Sequence, residues 1–224
     1  LFARASRYYH APFIDETVSW SGIPNTSLTP ETGYCLETGA EMTFLTEWTA
    51  GITLYEMCSS DEIYYNPVTY MNLNAPDDTR RCGVETALRW SREHVGGFGI
   101  AYDLVDSRFT DGIYKDNDMP LTPDHMLTVN GEVYILSGLA ALGTARYVSS
   151  QTSGSDFANQ ATKLDAYATL DLALRYEPEF LKGLRLIGGI DNVFDKEYAY
   201  CGFYGSSYYP ANGRTWKLCA AYTF

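Results

Sequence analysis

Apolar and polar residues alternate with a period of two along most of this 224-residue chain, and no stretch shows the 3.6-residue period of an amphipathic helix. The alternating segments are rich in Val, Leu, Tyr and Thr, residues that suit a pleated, half-buried surface. The pattern therefore predicts an all-β protein. The ten predicted strands cover roughly 1–8, 32–44, 48–65, 79–91, 94–107, 124–135, 138–149, 163–177, 183–193 and 213–224.

The last predicted strand shows most clearly which residues share a face. One face carries Trp216, Leu218, Ala220, Tyr222 and Phe224, and the other is more polar. The segments 163–177 and 124–135 repeat this arrangement. Alternation alone leaves open whether the oily face meets lipid or a second sheet, so a transmembrane barrel and a soluble β-sandwich both fit it.

The connections between the predicted strands alternate strictly between long and short. Three short ones are Leu45-Thr46-Glu47, Arg92-Glu93 and Leu136-Ser137, and the fourth is 178–182. The long ones cover about 9–31, 66–78, 108–123, 150–162 and 194–212. An outer-membrane barrel has short periplasmic turns and long outward loops, whereas a sandwich has no reason to collect its long loops at one end. This order favours the membrane barrel, with both chain ends at the short-turn end.

Charged residues occur inside the predicted strands, on the polar side. A wide, hydrated lumen accommodates such residues better than the outer surface of a thin sandwich. We expect them either to line that lumen or to pair with each other across neighbouring strands. These lumen candidates are Glu85, Arg89, Glu132, Arg146, Asp165, Asp171 and Arg175.

Composition and charge exclude several classes of protein. A net charge of −12 and a pI near 4.6 argue against nucleic-acid binding, which needs a basic face. The sequence contains no run of about 18 uncharged apolar residues, so it predicts no transmembrane helix. The 19 tyrosines suit surfaces that are partly wet and partly oily. The five cysteines form no CxxC pair, so we assign no disulfide and no metal site.

Several segments resemble TonB-dependent outer-membrane receptors. The family has an "N-L/V-F-D-K-x-Y" segment after its penultimate strand and a "P-x-x-G-R" segment before a last strand that ends in Phe. Here these are Asn192 to Tyr198, Pro210 to Arg214, and Phe224. Further segments match the family in order and spacing: SRYYHAPFIDE, LTPETGYCLETGAEM, DEIYYNP, TRRCGVETALRW, RYVSSQ and LDAYATLDLALRY.

The resemblance implies a barrel of about 22 strands that encloses an N-terminal plug. Such a barrel needs roughly 480 residues at about 22 residues per strand and connection, so residues 1–224 are expected to form a single partial barrel domain. We expect the C-terminal ten strands of the receptor, without its plug or TonB-contacting segment. The implied location is the outer membrane of a Gram-negative cell.

The resemblance also implies a function: capture and import of a scarce nutrient with energy from the TonB complex. A ferric siderophore is the first expectation, with haem or cobalamin as further ones, and no cofactor or nucleic acid is expected. Aromatic side chains in the loops are the candidate ligand contacts, although they could also form an interfacial girdle or pack the loops together. These candidates are Tyr8, Tyr9, His10, Tyr64, Tyr65, Tyr70, Tyr198, Tyr200, Phe203, Tyr204, Tyr208 and Tyr209.

Loop acids outnumber loop bases, which favours a neutral or cationic ligand over a trianionic catecholate. The Asp116-Asn117-Asp118 run lacks the spacing and Gly of an EF-hand, so we interpret it as a solvated acidic loop.

The end of the chain resembles the signal that the barrel assembly machinery reads. The pattern consists of Trp216, Leu218, Tyr222 and Phe224. The same residues also suit a lipid-facing strand with girdle aromatics.

Two other functions compete with transport. One is a complete ten-stranded outer-membrane barrel with a hydrolytic site at its rim, for which only His10, His94 and His125 could serve as general bases. The other is a soluble β-sandwich that acts as a binding module.

Overall fold

The protein forms one curved wall of antiparallel strands. In the computed structural model, which describes residues 1–18, 22–66, 69–203 and 207–224, ten strands pair in the order β1-β2-β3-β6-β7-β8-β9-β10-β11-β14. Each of these strands pairs with the next strand of the wall along the chain, as in an up-and-down barrel. Two small hairpins, β4-β5 and β12-β13, lie in connections between wall strands.

The strands of the wall are mostly eight to fourteen residues long, long enough to cross a bilayer when tilted. Their bounds are Phe2–His10 (β1), Glu31–Phe44 (β2), Trp48–Ser60 (β3), Thr79–Arg92 (β6), Gly96–Phe109 (β7), His125–Leu136 (β8), Leu139–Val148 (β9), Tyr167–Tyr176 (β10), Leu184–Asp191 (β11) and Thr215–Tyr222 (β14). The hairpins are Ile63–Asn66 (β4) with Met71–Asn74 (β5), and Ala199–Phe203 (β12) with Ser207–Pro210 (β13). A short helix, Ile14–Thr17 (α1), and a 3-10 turn, Gly112–Tyr114, lie in loops.

The register separates the two faces of the wall. Because directly paired residues of antiparallel strands point to the same side, alternation in each strand extends across the whole sheet. The apolar face is the side that carries Leu54, Ile100, Val129, Leu172, Leu186 and Leu218. The polar face is the side that carries Glu37, Glu85, Asn130, Thr144, Asp171 and Lys217. This continuous division confirms the faces expected from the sequence.

All short connections lie at one end of the sheet and all long ones at the other. The short connections are 45–47, 93–95, 137–138 and 177–183, and the long ones are 11–30, 61–78, 110–124, 149–166 and 192–214. The tightest turn is Ser137-Gly138, where Gly138 has φ +73° and a Cβ would lie 2.1 Å from the Glu177 carbonyl oxygen. Only glycine meets both requirements there.

The buried residues lie mostly beneath the long loops, because a single-layered wall exposes both of its faces. Within the described ranges, the buried apolar side chains are Val105, Phe109, Met119, Ala140 and Leu164. Three of them, Phe109, Met119 and Leu164, belong to the long-loop end. No helix among the described residues is long and apolar enough to cross a membrane.

Two predicted strands extend too far. The strand predicted over 48–65 ends at Ser60, because Asp61 adopts a left-handed φ of 59° and the chain turns into the β4-β5 hairpin. The strand predicted over 163–177 begins at Tyr167, since Leu164 instead forms an isolated bridge with Gln151. Asp165 therefore lies outside the sheet, and its predicted position inside a strand was wrong.

Candidate functional site

The long loops join each other in series. Asn25 of loop 11–30 donates its side-chain amide to the carbonyl of Asn72 on β5 at 2.5 Å. In the same pair of segments, Asn74 accepts from the Thr29 backbone N–H at 2.9 Å and donates back to the Thr29 carbonyl at 2.9 Å. The first loop is therefore fastened to the hairpin of the second.

Asparagine side chains continue this series toward the C-terminus. The Asn117 amide donates to the Phe157 carbonyl at 2.8 Å, which joins loop 110–124 to loop 149–166. Asn159 makes a reciprocal pair with the backbone of Asp118, at 2.7 and 2.9 Å. The Asn159 amide uses its donor and acceptor together, a bonding capacity that a carboxylate lacks.

Loop 149–166 is joined in turn to the β12-β13 hairpin. The Gly154 N–H donates to the Gly202 carbonyl at 2.6 Å, and the Gln151 amide donates to the Tyr200 carbonyl at 3.4 Å. The long loops thus form a connected layer over one end of the wall.

An aromatic cluster fills the space under this layer. Phe157 contacts Tyr64, Phe109 and Tyr114, with ring centroids 4.7, 5.2 and 5.7 Å apart. The inclined, edge-on geometries are those that aromatic rings favour. Tyr64, a predicted ligand contact, therefore packs loops together, the alternative role considered for it. Neither Phe157 nor Phe109 stands out in the sequence, because both occur outside any recognisable motif.

A second aromatic group lies at the open side of the layer. Tyr198 stacks on Tyr167 with ring centroids 4.0 Å apart and meets Tyr200 edge-on at 5.4 Å. We call Tyr167, Tyr198 and Tyr200 the tyrosine group. Tyr167 occupies the polar face of β10, the same face as Asp171, which lies four residues farther along the strand. Burial raises the pKa of the Tyr198 phenol, as does its hydrogen bond with Tyr200, so this hydroxyl stays protonated near neutral pH.

The family segment after β11 has a structural role that the sequence did not reveal. Asn192 donates its side-chain amide to the carbonyls of Lys196 at 2.9 Å and Asn212 at 3.3 Å. Asp195 accepts from the Arg214 backbone N–H at 2.7 Å, while the Arg214 side chain donates to the Val193 carbonyl at 2.9 Å. The two motifs fasten the base of the last loop.

A partly buried ion pair lies on the polar face near the first loops. Arg81 of β6 makes two hydrogen bonds to the carboxylate of Glu62, one of them at 3.0 Å from Nη2 to Oε2, and the Tyr8 hydroxyl bonds nearby to Ser59. Burial favours the neutral form of Glu62, but the hydrogen bonds and charge of Arg81 outweigh it and lower the pKa of this carboxyl.

The predicted lumen charges divide into two groups. Arg146 pairs with Asp171 at 3.2 Å, and Arg175 pairs with Glu132 across the intervening strand β9. Glu85 and Arg89 are exposed on the polar face of β6, and no salt bridge joins either of them to a described residue. Asp165 is exposed outside the sheet.

The other predicted ligand contacts occupy varied places. Tyr8 points to the polar face, whereas Tyr9, its neighbour, is exposed on the opposite side of β1. His10 lies between the carboxylates of Glu16 and Glu31, at 3.4 and 3.7 Å. Exposed side chains in the loop layer are Tyr65, Tyr70, Tyr200, Tyr208 and Tyr209. The Phe203 side chain and all of Tyr204 lie outside the described residues.

Several loop acids serve the loops themselves. Asp156 accepts from the N–H groups of Gln160 and Ala161 at 3.0 and 2.8 Å, and Asp77 accepts from the Tyr114 N–H at 3.0 Å. Lys163 pairs with Asp118 at 3.1 Å. No group of three or more His, Cys, Asp or Glu residues within the described ranges could hold a metal ion.

A meander of long strands with one apolar and one polar face, and with all its long loops at one end, defines part of an outer-membrane type β-barrel. The family model described as "TonB dependent receptor-like, beta-barrel" matches residues 1–193. The chain belongs to the TonB-dependent receptor family.

Solved structures of similar fold come from the same kind of protein. The ferric-catecholate import receptor Fiu of E. coli K12, in its closed form, gives a TM-score of 0.76 at 20% identity over 99% of this chain and 32% of Fiu. The ferric yersiniabactin uptake receptor FyuA of Yersinia pestis gives 0.75 at 22% identity, over 99% and 34%. The copper transporter OprC gives 0.79 at 17% identity, over 99% and 36%. The chain thus spans about a third of these relatives, and a search of curated proteins found no significant match.

These findings decide between the predicted classes. The ten-stranded sheet is part of a receptor barrel, which excludes the β-sandwich and the complete small barrel. The family and fold are those of transporters rather than enzymes, and its β-barrel members are outer-membrane proteins. Of the candidate general bases, His125 bonds to the Tyr102 hydroxyl at 2.9 Å, and His94 is exposed in a short turn beside Glu93.

Proposed function

We propose that residues 1–224 form one partial barrel domain, the C-terminal ten strands of an outer-membrane transporter that imports a scarce nutrient. The barrel would have about 22 strands and be energised through the TonB complex. Among the described residues, β1 and β14 each pair with one neighbour, which leaves both edges of the wall open. The apolar face meets the lipid of a Gram-negative outer membrane, and the polar face meets the water-filled interior.

The tyrosine group is the main structural support for ligand binding at the loop layer. Tyr200 is largely exposed, and Tyr198 is held by stacking on Tyr167, so that rings and hydroxyls are fixed before a ligand arrives. Fixed aromatic surfaces bind flat or chelated molecules at little cost in side-chain entropy. We assign a ferric siderophore as the first cargo, with haem and cobalamin as alternatives. Tyr65, Tyr70, Tyr208 and Tyr209 are further proposed contacts.

The charge of the loop layer favours a neutral or cationic chelate. Asp77, Asp118 and Asp156 are held by loop hydrogen bonds or by Lys163, which fixes their negative charges in place. A trianionic catecholate would meet unfavourable potential there.

On the polar face, we propose that Glu85 and Arg89 contact a plug inside the barrel. Both are exposed and lie near the middle and the short-turn end of β6. By contrast, the other proposed lumen charges, Arg146, Asp171, Glu132 and Arg175, already pair within the wall.

Uptake of labelled cargo tests the proposal. The complete gene product that contains this chain is expressed in a strain lacking its own copy, with and without TonB, and offered a neutral ferric hydroxamate, a ferric catecholate, haem and cobalamin. We expect TonB-dependent accumulation of one cargo and, for Tyr198→Ala with Tyr200→Ala, about tenfold weaker binding. Tyr147→Ala, on the apolar face, is the matched control and should bind normally. Absence of accumulation, or accumulation independent of TonB, would contradict the proposal.

We further propose that the last strand carries the signal for the barrel assembly machinery. Trp216, Leu218 and Tyr222 are exposed on the apolar face of β14, and Phe224 packs edge-on against Tyr222 with ring centroids 5.1 Å apart. Deletion of Phe224 from the complete receptor should lower the amount of heat-modifiable protein in outer-membrane fractions. Unchanged abundance and migration would refute this role.

A further inference from the structure

A row of three arginines, one tyrosine and one cysteine crosses five strands near the long-loop end. Arg7 of β1 is the register partner of Tyr34, which is the partner of Cys58 on β3. Cys58 is in turn the partner of Arg80, and Arg80 of Arg108 on β7. Because register partners share a face, these five side chains, here called the arginine row, all lie on the apolar face.

The arginine row lies where the side chains of the apolar face change from aliphatic to charged. Four residues farther along the strands, toward the short-turn end, the corresponding row contains Leu54, Val84 and Leu104. Since a strand advances about 3.3 Å per residue, the two rows are about 13 Å apart along the strands. One row, which contains Glu56, Cys82 and Asp106, lies between the arginine row and this apolar row.

Two of the guanidinium groups are held in fixed orientations. Arg80 Nε donates to Glu56 Oε1 at 2.7 Å, and Arg108 Nε donates to Asp106 Oδ1 at 2.6 Å. Both carboxylates belong to the intermediate row, on the greasy side of the arginines. Each of these two arginines therefore uses the Nε edge of its guanidinium for its carboxylate partner. Arg108 Nη1 makes one long contact of 3.5 Å to the Asp116 carbonyl, which leaves most terminal N–H donors available.

A cavity of about 580 Å³ opens beside the β1 side of this row. Its lining includes Arg7, Tyr34, Ser60 and Thr110, which offer a guanidinium and three hydroxyls, and it also includes the acidic residue Asp78. Arg7 is exposed, and no hydrogen bond or ion pair joins its side chain to another described residue. The cavity is thus a polar recess with an available cation at the upper margin of the apolar face.

We infer that the arginine row binds the phosphate groups of an anionic lipid of the outer leaflet. Arginine matches phosphate through paired N–H donors, and a row of guanidiniums about 13 Å from an apolar row fits a ligand with a phosphorylated head and acyl tails. The row has three guanidiniums against the two carboxylates of Glu56 and Asp106, in a chain whose net charge is −12. Leu54, Val84 and Leu104 would then contact the acyl chains. The inference rests on the proposed function, in which the apolar face meets lipid.

Native mass spectrometry of the complete receptor in mild detergent tests this assignment. The probes are a bisphosphorylated glycolipid, its dephosphorylated form, and inorganic phosphate alone. We expect the receptor to retain the phosphorylated glycolipid, and Arg7→Gln with Arg80→Gln and Arg108→Gln to bind it about tenfold more weakly. The matched control, Arg4→Gln with Arg185→Gln and Lys217→Gln, removes three positive charges from the polar face and should bind as wild type does.

The outcomes separate this inference from the proposed function. Equal retention by the arginine-row variant and wild type, or equal weakening in the control, would overturn the inference while leaving transport intact. Binding of inorganic phosphate as tight as that of the glycolipid would also overturn it, because the acyl contacts would then contribute nothing. Failure of the receptor to remain in membranes after an alkaline wash would contradict the proposed function itself.

Discussion

At the long-loop end of the wall, buried side chains and hydrogen bonds join successive loops, whereas at the short-turn end tight turns carry aromatic side chains on the surface. The first end contains Phe109 and Phe157 under the loop layer. The second contains Phe44, Trp48 and Trp90 in a surface cluster, with Trp90 Nε1 donating to Glu47 at 2.9 Å. A one-layered wall has no core between sheets, so its protein-protein packing is concentrated where loops fold over it. Substitutions at the long-loop end should therefore cost more stability.

The largest expected effect comes from Phe109, which is 2% exposed and anchors the aromatic cluster. Phe109→Ala removes a buried ring and leaves a cavity, so we expect a loss of about 3–5 kcal/mol in the free energy of unfolding. Urea unfolding of the complete receptor in lipid vesicles measures it. The control is Phe180→Ala in the short turn 177–183, where the ring is 83% exposed and truncation should change stability by less than about 0.5 kcal/mol. Equal losses at both sites would contradict the proposed difference between the two ends.

The next effect compares adjacent arginines that point to opposite faces. Arg81→Met leaves the carboxylate of Glu62 buried without its partner, since the two side chains are only 26% and 17% exposed. We expect a loss of about 3 kcal/mol. Arg80→Met breaks the pair with Glu56, whose side chains are 48% and 37% exposed, and should cost much less because water screens this pair. The same unfolding measurement decides, and a larger loss for Arg80→Met would contradict this account.

The wall was predictable from the sequence, whereas the loop layer was not. Period-two alternation in segments such as 213–224 fixed the faces, because each residue of a strand reports its side independently of distant contacts. The order of long and short connections then indicated a barrel. The family segment containing Asn192 was recognised, but its role in fastening the last loop depends on Asn212, twenty positions away.

Loop packing depends on contacts between residues far apart in sequence, which no local pattern encodes. The sequence left open whether Tyr64 contacts a ligand or packs loops together, and its contact with Phe157 was not predictable because Phe157 carried no signal of its own. The same limit explains the wrong prediction for Asp165. The alternating pattern extends the predicted strand through Asp165, although Leu164 instead forms a bridge with Gln151. Only the local hydrogen bonding of the chain decides where such a strand begins.

The smallest effect concerns the pH dependence of stability. It again distinguishes the partly buried pair of Glu62 and Arg81 from the exposed pair of Glu56 and Arg80. Because Arg81 lowers the pKa of Glu62 in the folded protein below the ordinary value of 4.5, the ionised carboxyl stabilises the fold above that pH. This contribution is lost as the pH falls from about 4.5 through the lower folded pKa, where Glu62 takes up a proton. Glu62→Gln cannot titrate, so its unfolding free energy should fall less steeply than that of wild type in this range, although it is lower at neutral pH. Glu56→Gln, which leaves Glu62 in place, should keep the wild-type slope. Parallel pH profiles for wild type and Glu62→Gln would show that the pair of Glu62 and Arg81 does not couple acid to the stability of the long-loop end.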